Sequence, residues 1–406
     1  MAVGYPILWA RGILSGMLQR LRLRNFRSFR DATVAFGSLN IVLGANASGK
    51  TNLMQAFRFL RDLTRHDLEY AAAQQGGVEY LCHLGSAEST FTLEATHELR
   101  GGGRKTPWRV AQVEHALTVR VVRTRYAVEI LQESLVATLG RDAAATVHLA
   151  RRGDTATVHI EPHSVANALG VPPEGRFGLP KAVSLLQYAP FPLHIPRLYT
   201  DLLAIHDFTP KAAKGSASLA AHSELNEDAS NLAQVLARIM LHEAQRARLQ
   251  NLLRYLLPHL ESLEVAPIGG KQVQLQAKEP YFVQPIPAAL LSEGTVEVIA
   301  LVVALFFSKL QAETLVFEEP DRSLHPQVLA RLMSLLREVA ARKQLIFTTH
   351  SPEILRHARV EELLLVERDA QGGSIIKRPA ELEMVRHFLE NQLGLEHLFV
   401  ENLLSR

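Results

Sequence analysis

Four short stretches of this chain carry residue types whose spacing suits chemistry on a nucleotide. The first, Gly44-Ala45-Asn46-Ala47-Ser48-Gly49-Lys50-Thr51, fits G-x-x-x-x-G-K-[ST]. Successive backbone N–H groups and a helix N-terminus present partial positive charge to a polyphosphate. Gly44 and Gly49 let the backbone come close, Lys50 reaches the β- and γ-phosphates, and the Thr51 hydroxyl ligates Mg²⁺. The second stretch is Glu318-Glu319, at the end of a short apolar run. Glu318 suits a Mg²⁺ held through water, and Glu319 suits a base that polarises the water attacking a γ-phosphate. The third ends in His350, whose imidazole can hydrogen-bond a γ-phosphate or the attacking water. In the fourth, Ser292-Glu293-Gly294 precedes a helix start and makes a second phosphate-seeking N-terminus. The plainer readings are a chance glycine turn, two surface acids, a structural histidine and an ordinary N-cap at Ser292.

The elements that must position these residues are readable. Leu39, Ile41, Val42 and Leu43 form a short buried strand running into the loop, and Asn52 to Arg61 continues as a helix with Leu53, Ala56, Phe57 and Leu60 on one face. A short apolar strand from Thr314 ends in the two carboxylates Glu318 and Glu319, and another buried strand from Gln344 ends in His350. Open α/β sheets bind ligands at the carboxyl ends of their strands, and all three strands would end there. His325, before Pro326, suits a turn or packing position.

The chain between these pieces reads differently. Leu21 and Leu23 alternate with Arg20, Arg22 and Arg24 in a half-buried strand from Met17, and a second strand follows at Ala32 to Phe36. The arginines suit a solvated face; a sharper reading sets Arg27 or a neighbour on nucleotide or DNA phosphate. Thr90 to Leu99 and Glu114 to Gln132 alternate as β structure, with inward sets Phe91, Leu93, Ala95; Leu117, Val119, Val121; and Tyr126, Val128, Ile130. Arg151-Arg152-Gly153-Asp154 reads as a hairpin turn and Gly101 to Lys105 as a flexible basic turn. Arg104, Lys105, Arg151 and Arg152 are candidate nucleic-acid contacts, though solvated loops explain them as well. Asn231 to Leu256 is helical, with Leu232, Val235, Leu236, Ile239 and Leu253 at core spacing, and a further helix runs to about Lys309.

Composition narrows the function classes. The chain has 406 residues, 47% hydrophobic and 21% charged, with a net charge of only +3, so any nucleic-acid contact must be local. Cys82 is the single cysteine, which excludes an intramolecular disulfide and suits a reducing cytoplasm. The apolar run Val298 to Phe307 is far short of the roughly 20 residues that a membrane helix needs. Residues 1–16 lack a basic n-region and contain Arg11, so they read as an extension outside the fold, not a signal peptide.

Taken in order, the pieces resemble the ABC-type ATPase heads of the SMC/RecF-like group. They are similar to the single-head bacterial ATPases related to the OLD (overcoming lysogenization defect) family. The resemblance runs from about Met17 to the end. It rests on Leu23-Arg24-Asn25-Phe26-Arg27-Ser28-Phe29, the loop Gly44 to Asn52, Asp228-Ala229-Ser230-Asn231-Leu232-Ala233, Leu291 to Thr295, Glu318-Glu319-Pro320-Asp321, Leu324-His325-Pro326 and Thr349-His350-Ser351-Pro352. It implies an α/β P-loop fold, an ABC-type head split into 17–100 and 270–406, with an α+β lobe over 101–269 inserted between its halves. It also implies ATP and Mg²⁺ as ligands and two heads sandwiching two ATP molecules. Ser292 to Thr295 would then be a signature segment acting on the partner's nucleotide, with Asp321 in a loop crossing the seam.

The departures are specific. Glu318 stands where the family usually has Asp, Ala47 where Gly is commoner, and the signature is not Leu-Ser-Gly-Gly-Gln. Gln74, Gln75 and Gln112 are candidates for the family's glutamine loop. Too little chain follows His350 for the Toprim nuclease domain of OLD nucleases, and Glu361, Glu362, Glu367 and Asp369 look like a strand-and-turn surface, so no intrinsic nuclease is expected. The expected protein is a cytoplasmic ATP hydrolase that dimerises on ATP. It would act on DNA or on a separate effector such as a nuclease or toxin, in DNA maintenance or anti-phage defence. The alternatives are the ATPase subunit of a membrane transporter and a slow nucleotide-dependent switch or scaffold.

Overall fold

A computed structural model describes residues 15–100, 110–140, 145–169, 172–187, 199, 202–219, 224–307, 312–383, 385, 387, 394–401 and 403–404. The basic turn Gly101 to Lys105 and residues 1–14 lie outside these. The chain forms two compact units. One takes the chain up to Gly37, Thr51–Leu203 and Arg368–Ile376; the other takes Ser38–Lys50, Ala204–Glu367 and the chain from Lys377.

The first unit is built on an antiparallel sheet of eight strands. In spatial order they are Phe29–Ala35, Ser15–Phe26, Thr90–Arg100, Val110–Val122, Ala127–Leu139, Ala145–Arg152, Thr155–Glu161 and Glu174–Gly178. Alternation decides its faces: Leu21, Leu23, Leu93, Leu117 and Val119 are buried while their neighbours in sequence are more exposed. Aromatic rings knit the sheet to the helix Lys50–Arg65, with Phe59 5.7 Å from Phe91 and Phe57 5.9 Å from Phe36. That helix buries Leu53, Ala56, Phe57 and Leu60, the face expected from its spacing.

Three expectations in this unit need correction. The opening strand starts at Ser15, which pairs with Arg100 and thereby draws in two residues placed outside the fold. Tyr126 is not in an inward set: it is 76% exposed. It takes φ 49° where the hairpin between Val122 and Ala127 turns, so its side chain swings away while Val128 and Ile130 stay buried. Arg151 lies next to a hairpin turn, as expected, yet is buried. Its guanidinium donates to the carbonyls of Gly153, Val183 and Pro180, which removes it from any solvent-facing or nucleic-acid role.

The second unit centres on a sheet whose strands lie in the order Leu203–His206, Thr314–Phe317, Gln344–Thr348, Leu39–Leu43, Leu363–Arg368. The middle pairings are parallel, with Phe317 opposite Phe347 and Thr348 opposite Val42. The strands Thr314–Phe317, Gln344–Thr348 and Leu39–Leu43 are buried at every position, as strands covered on both faces must be. The helix Glu293–Phe306 is buried from Thr295 to Leu305, on all sides rather than along one stripe. The helix expected over Asn231 to Leu256 is two helices, Leu232–Met240 and Glu243–Leu256. The break falls where the apolar stripe stops: Leu241 is exposed and His242 is an extended N-cap. Among the described residues no helix is long and apolar enough to cross a membrane.

A candidate nucleotide-hydrolysis site

Parallel register fixes what gathers at one edge. Because Thr348 aligns with Val42 and Phe317 with Phe347, the residues that follow each strand emerge together. These are Gly44, Glu318-Glu319 and Thr349-His350. The Thr349 N–H donates to the Val42 carbonyl at 3.0 Å, continuing the ladder one residue past the strand.

The phosphate loop has a backbone that its glycines explain. A Cβ on Gly44 would lie 2.2 Å from the Val366 carbonyl oxygen of the next strand, so no other residue fits there. Gly49 takes φ 120°, in the region where side chains are strained. Ala47 takes φ 60°, a left-handed conformation that an alanine holds at about 1–2 kcal/mol. Ala45, Asn46 and Ala47 form the exposed tip, Ser48, Gly49 and Lys50 are buried, and Thr51 is exposed again.

Lys50 folds back over the loop. Its Nζ donates to the carbonyls of Gly44 at 2.7 Å and Ala45 at 3.0 Å. Burial lowers its pKa to about 8, against the opposing pull of the nearby Glu319 and Glu318 carboxylates. A buried ammonium held only by neutral carbonyls and two acids is matched to a polyanion, which would restore the charge that burial disfavours. The loop with its buried lysine therefore suits a polyphosphate.

Glu319 and His350 form a pair, with His350 Nε2 2.7 Å from Glu319 Oε1 and both side chains partly exposed. Glu319 sits at φ 44°, and its N–H donates to the buried Thr348 hydroxyl at 3.0 Å. A left-handed, non-glycine residue at a strand end is a strained position held by its surroundings. The neighbouring Asp321 turns inward, where the Thr349 hydroxyl donates to Oδ2 at 2.5 Å. Burial raises the Asp321 pKa to about 6, with the Thr349 hydrogen bond opposing the rise.

Ser292 is the N-cap of the helix Glu293–Phe306, its Oγ accepting from the Thr295 N–H at 3.0 Å. Ser292 and Glu293 are exposed, and a Cβ on Gly294 would lie 2.4 Å from the Ser323 carbonyl oxygen. The plain N-cap reading of Ser292 thus holds, with the hydroxyl-bearing end of the helix still open to solvent. His325 is likewise a cap, accepting from the Gln327 N–H.

In the first unit Arg27 and Asn52 meet: Arg27 Nε donates to Asn52 Oδ1 at 3.0 Å, and Nη1 donates to the Gln75 carbonyl at 3.0 Å. Of the candidate loop glutamines, Gln75 is the one brought to Arg27, whereas Gln112 lies on a strand and donates to Glu114. Arg27 and Asn52 line a cavity of about 410 Å³ with Tyr80, Leu84 and Arg368. Arg22 and Arg24 pair instead with Asp31, on the solvated face. Glu362 is bound by Arg337, and among the described residues no acid and histidine cluster is shaped for a metal ion.

Sequence reading missed Glu297, a buried acid four residues past Glu293. The signal was present: a single charge inside the run Val296 to Phe307.

A glycine loop between a buried strand and a helix, with carboxylates and a histidine on adjacent parallel strands, defines a P-loop ATPase fold of ABC type. Two family models match: "AAA ATPase domain" over residues 17–98 and "AAA domain, putative AbiEii toxin, Type IV TA system" over 206–356. The DNA replication and repair protein RecF of Acetivibrio thermocellus is 34% identical over 86 residues, 20% of this chain and 23% of that protein. RecF of Pediococcus pentosaceus is 53% identical over 49 residues, 12% of this chain and 13% of that protein. The Septu protein PtuA of Bacillus thuringiensis is 27% identical over 88 residues, 20% of this chain and 22% of that protein. The chain thus spans less than a quarter of each of these relatives. An SMC head bound to the C-winged helix domain of ScpA shares the fold with a TM-score of 0.50 at 14% identity, over 89% of this chain and 96% of that one. A Pyrococcus furiosus SMC head with an extended coiled coil, bound to the C-terminal domain of ScpA, has a TM-score of 0.50 at 13% identity, over 93% and 99%. The chain has the fold of an ABC-type P-loop ATPase and is similar in part of its sequence to RecF and in fold to SMC heads.

Proposed function

We propose that this chain is a Mg²⁺-dependent ATP hydrolase whose heads dimerise on ATP and pass that change to DNA or to a partner effector. The observation that carries the reading is the Glu319–His350 pair, 2.7 Å apart, on the strand edge that also bears the Lys50 loop. Lys50 and the loop N–H groups hold the β- and γ-phosphates, with Gly44, Asn46, Ala47, Ser48 and Gly49 shaping the cradle. Thr51 and Glu318 hold the cation, which withdraws charge from the phosphate oxygens when bound. Glu319 accepts a proton from the water that attacks the γ-phosphorus as the bond to the β-phosphate oxygen breaks. His350 orients Glu319 and donates toward the departing phosphate. Arg27 and Asn52 contribute a further polar wall for the nucleotide. Ser292, Glu293 and Gly294, exposed at a helix N-terminus, meet the nucleotide of a second copy, with Asp321 in the turn beside the seam.

The RecF relatives are DNA replication and repair proteins and the SMC heads are bound to ScpA domains, which supports DNA and a protein partner as the receivers of the signal. The match to a model described as a putative AbiEii toxin of a Type IV TA system supports a separate effector, and a role in anti-phage defence rests on the family resemblance. A slow, switch-like ATPase is the second reading. It is favoured by Glu318 at the cation position, where the resemblance expects Asp.

The test is the solution mass of Glu319→Gln with and without Mg-ATP. Removing the base is expected to trap an ATP-bound dimer from a monomer and to lower turnover about 10²-fold or more. A variant that binds ATP and stays monomeric would refute the composite site, and one that hydrolyses ATP at the parent rate would refute Glu319 as base.

A further inference from the structure

Arg322 stands in the turn that follows Glu319-Pro320-Asp321 and is exposed. Its main chain is tied to the base, the Arg322 N–H donating to the Glu319 carbonyl at 3.2 Å. Its side chain leaves the other way. In the parallel sheet the strand Thr314–Phe317 has Leu203–His206 on one side and Gln344–Thr348, then Leu39–Leu43, on the other. Glu319 meets His350, just past Gln344–Thr348 and so on the side of the phosphate loop. The Arg322 guanidinium instead approaches the Phe208 carbonyl, just past Leu203–His206, at 3.5 Å. That bond is long, and among the described residues it is the only one the guanidinium makes. Asp321 and the buried Glu297 feel its charge.

The same turn abuts the helix Glu293–Phe306. A Cβ on Gly294 would lie 2.4 Å from the carbonyl oxygen of Ser323, the residue after Arg322. Ser292 and Glu293, just before Gly294, are exposed. The open end of the helix and the arginine turn therefore share one surface. Glu293 makes the helix end alone a poor seat for an anion, and Arg322 supplies the charge that offsets it. A guanidinium also presents a planar fork of donors that matches phosphate oxygens. Directed away from the Lys50 loop of its own chain, it is placed for a nucleotide held by another.

We propose that Arg322 is a catalytic residue acting in trans. Its guanidinium binds the γ-phosphate oxygens of the nucleotide that a second copy holds against Ser292–Gly294. There it stabilises the charge that spreads over those oxygens as water attacks the γ-phosphorus and the bond to the β-phosphate oxygen breaks. The water's proton goes to the Glu319 that serves that nucleotide, and Arg322 keeps its own. The proposal rests on the composite-site reading above.

The experiment measures kcat and the Kd for Mg-ATP of the full chain carrying Arg322→Ala, alone and mixed in equal amounts with Lys50→Ala. A mixed pair holds one whole site only if Arg322 acts on the other copy's nucleotide. Arg322→Ala alone is expected to lower kcat about 10²-fold or more, with Kd within about twofold of the parent. Mixing is expected to restore about a quarter of the parent rate, since about half of the pairs are mixed and each has one working site of two. The control mixes Lys50→Ala with Ser292→Asp, which keeps an N-cap but sets a negative charge against the phosphate. Recovery in the control but not with Arg322→Ala overturns the proposal and leaves the composite site standing. Parent kcat in Arg322→Ala does the same, as does a Kd raised about tenfold or more, which would put the side chain on its own nucleotide. No recovery in either mixture overturns the composite site and the proposal with it. If Arg322→Ala fails to fold, Arg322→Gln, which keeps the length without the charge, replaces it in every measurement.

Discussion

The two largest sheets among the described residues use the same apolar residues to opposite ends. In the antiparallel sheet hydrophobic and polar positions alternate, so each strand has an inner face that packs and an outer face that meets water. In the parallel sheet the strands Leu39–Leu43, Thr314–Phe317 and Gln344–Thr348 are buried throughout, and polarity is pushed to their carboxyl ends. Every candidate reacting group follows one of those three strands. A two-faced sheet tolerates change on its outer side; a strand buried on both sides concentrates both stability and chemistry in a few residues. The antiparallel sheet departs from this rule at the buried His97, His115 and Arg151 and, on the inner face, at Glu133. Glu133 accepts from the Leu185 N–H at 2.8 Å and the Ser184 hydroxyl at 2.5 Å, and its Oε1 lies 3.1 Å from His115 Nε2.

Substitutions can sharpen this contrast. Phe347→Ala, in the central parallel strand, is expected to lose about 3–5 kcal/mol in urea unfolding, while Tyr126→Ala, on the exposed hairpin turn, stays within about 0.5. Equal losses would break the comparison. Glu133→Ala should approach the core value, at about 3–4 kcal/mol, because it strands a buried N–H, a hydroxyl and an imidazole. A loss near zero would mean that the inner face of the antiparallel sheet accepts water.

The third prediction concerns pH. The Glu297 carboxyl has its folded pKa raised to about 7 from 4.5. The folded state therefore binds the proton more tightly, and this contribution to stability is full below pH 4.5 and is lost as pH rises through 7. Glu297→Gln removes that loss. Relative to the parent it should gain on the order of 1–3 kcal/mol between pH 4 and pH 8, read by urea unfolding at each pH. A difference that does not change with pH would mean that Glu297 is solvated. The smallest effect is expected at Ala47→Gly, which relieves the left-handed φ but loosens the unfolded chain, for a net change within about 1 kcal/mol. A large loss on thermal unfolding would show that the Ala47 methyl group packs in a way its exposure does not suggest.

Much of the site was readable because its parts are local. The loop motif, the buried strand before it and the acids after Thr314–Phe317 each occupy a few consecutive residues, and their pattern needs no distant partner. The errors came where a long-range contact overrode local pattern. Arg151 looks like a turn arginine until the carbonyls of Pro180 and Val183 take its guanidinium. Tyr126 fits an alternating set until the hairpin needs a left-handed residue there. The helix over Asn231 to Leu256 has good helix formers throughout, yet breaks where the surface available to bury changes.

Sequence by itself determined the strand–loop–helix at Gly44 to Thr51, the parallel character of the strands around it and the chemical types at their ends. Periodicity and glycine placement are short-range signals, and they specify conformation directly. Tertiary structure alone decided that Glu319 meets His350, that Gln75 rather than Gln112 meets Arg27, and that Gly294 closes on the Ser323 carbonyl. Those contacts join residues from different elements, and strand register and the close approach of two backbones, which set them, are properties of the packed molecule that no single stretch of chain encodes.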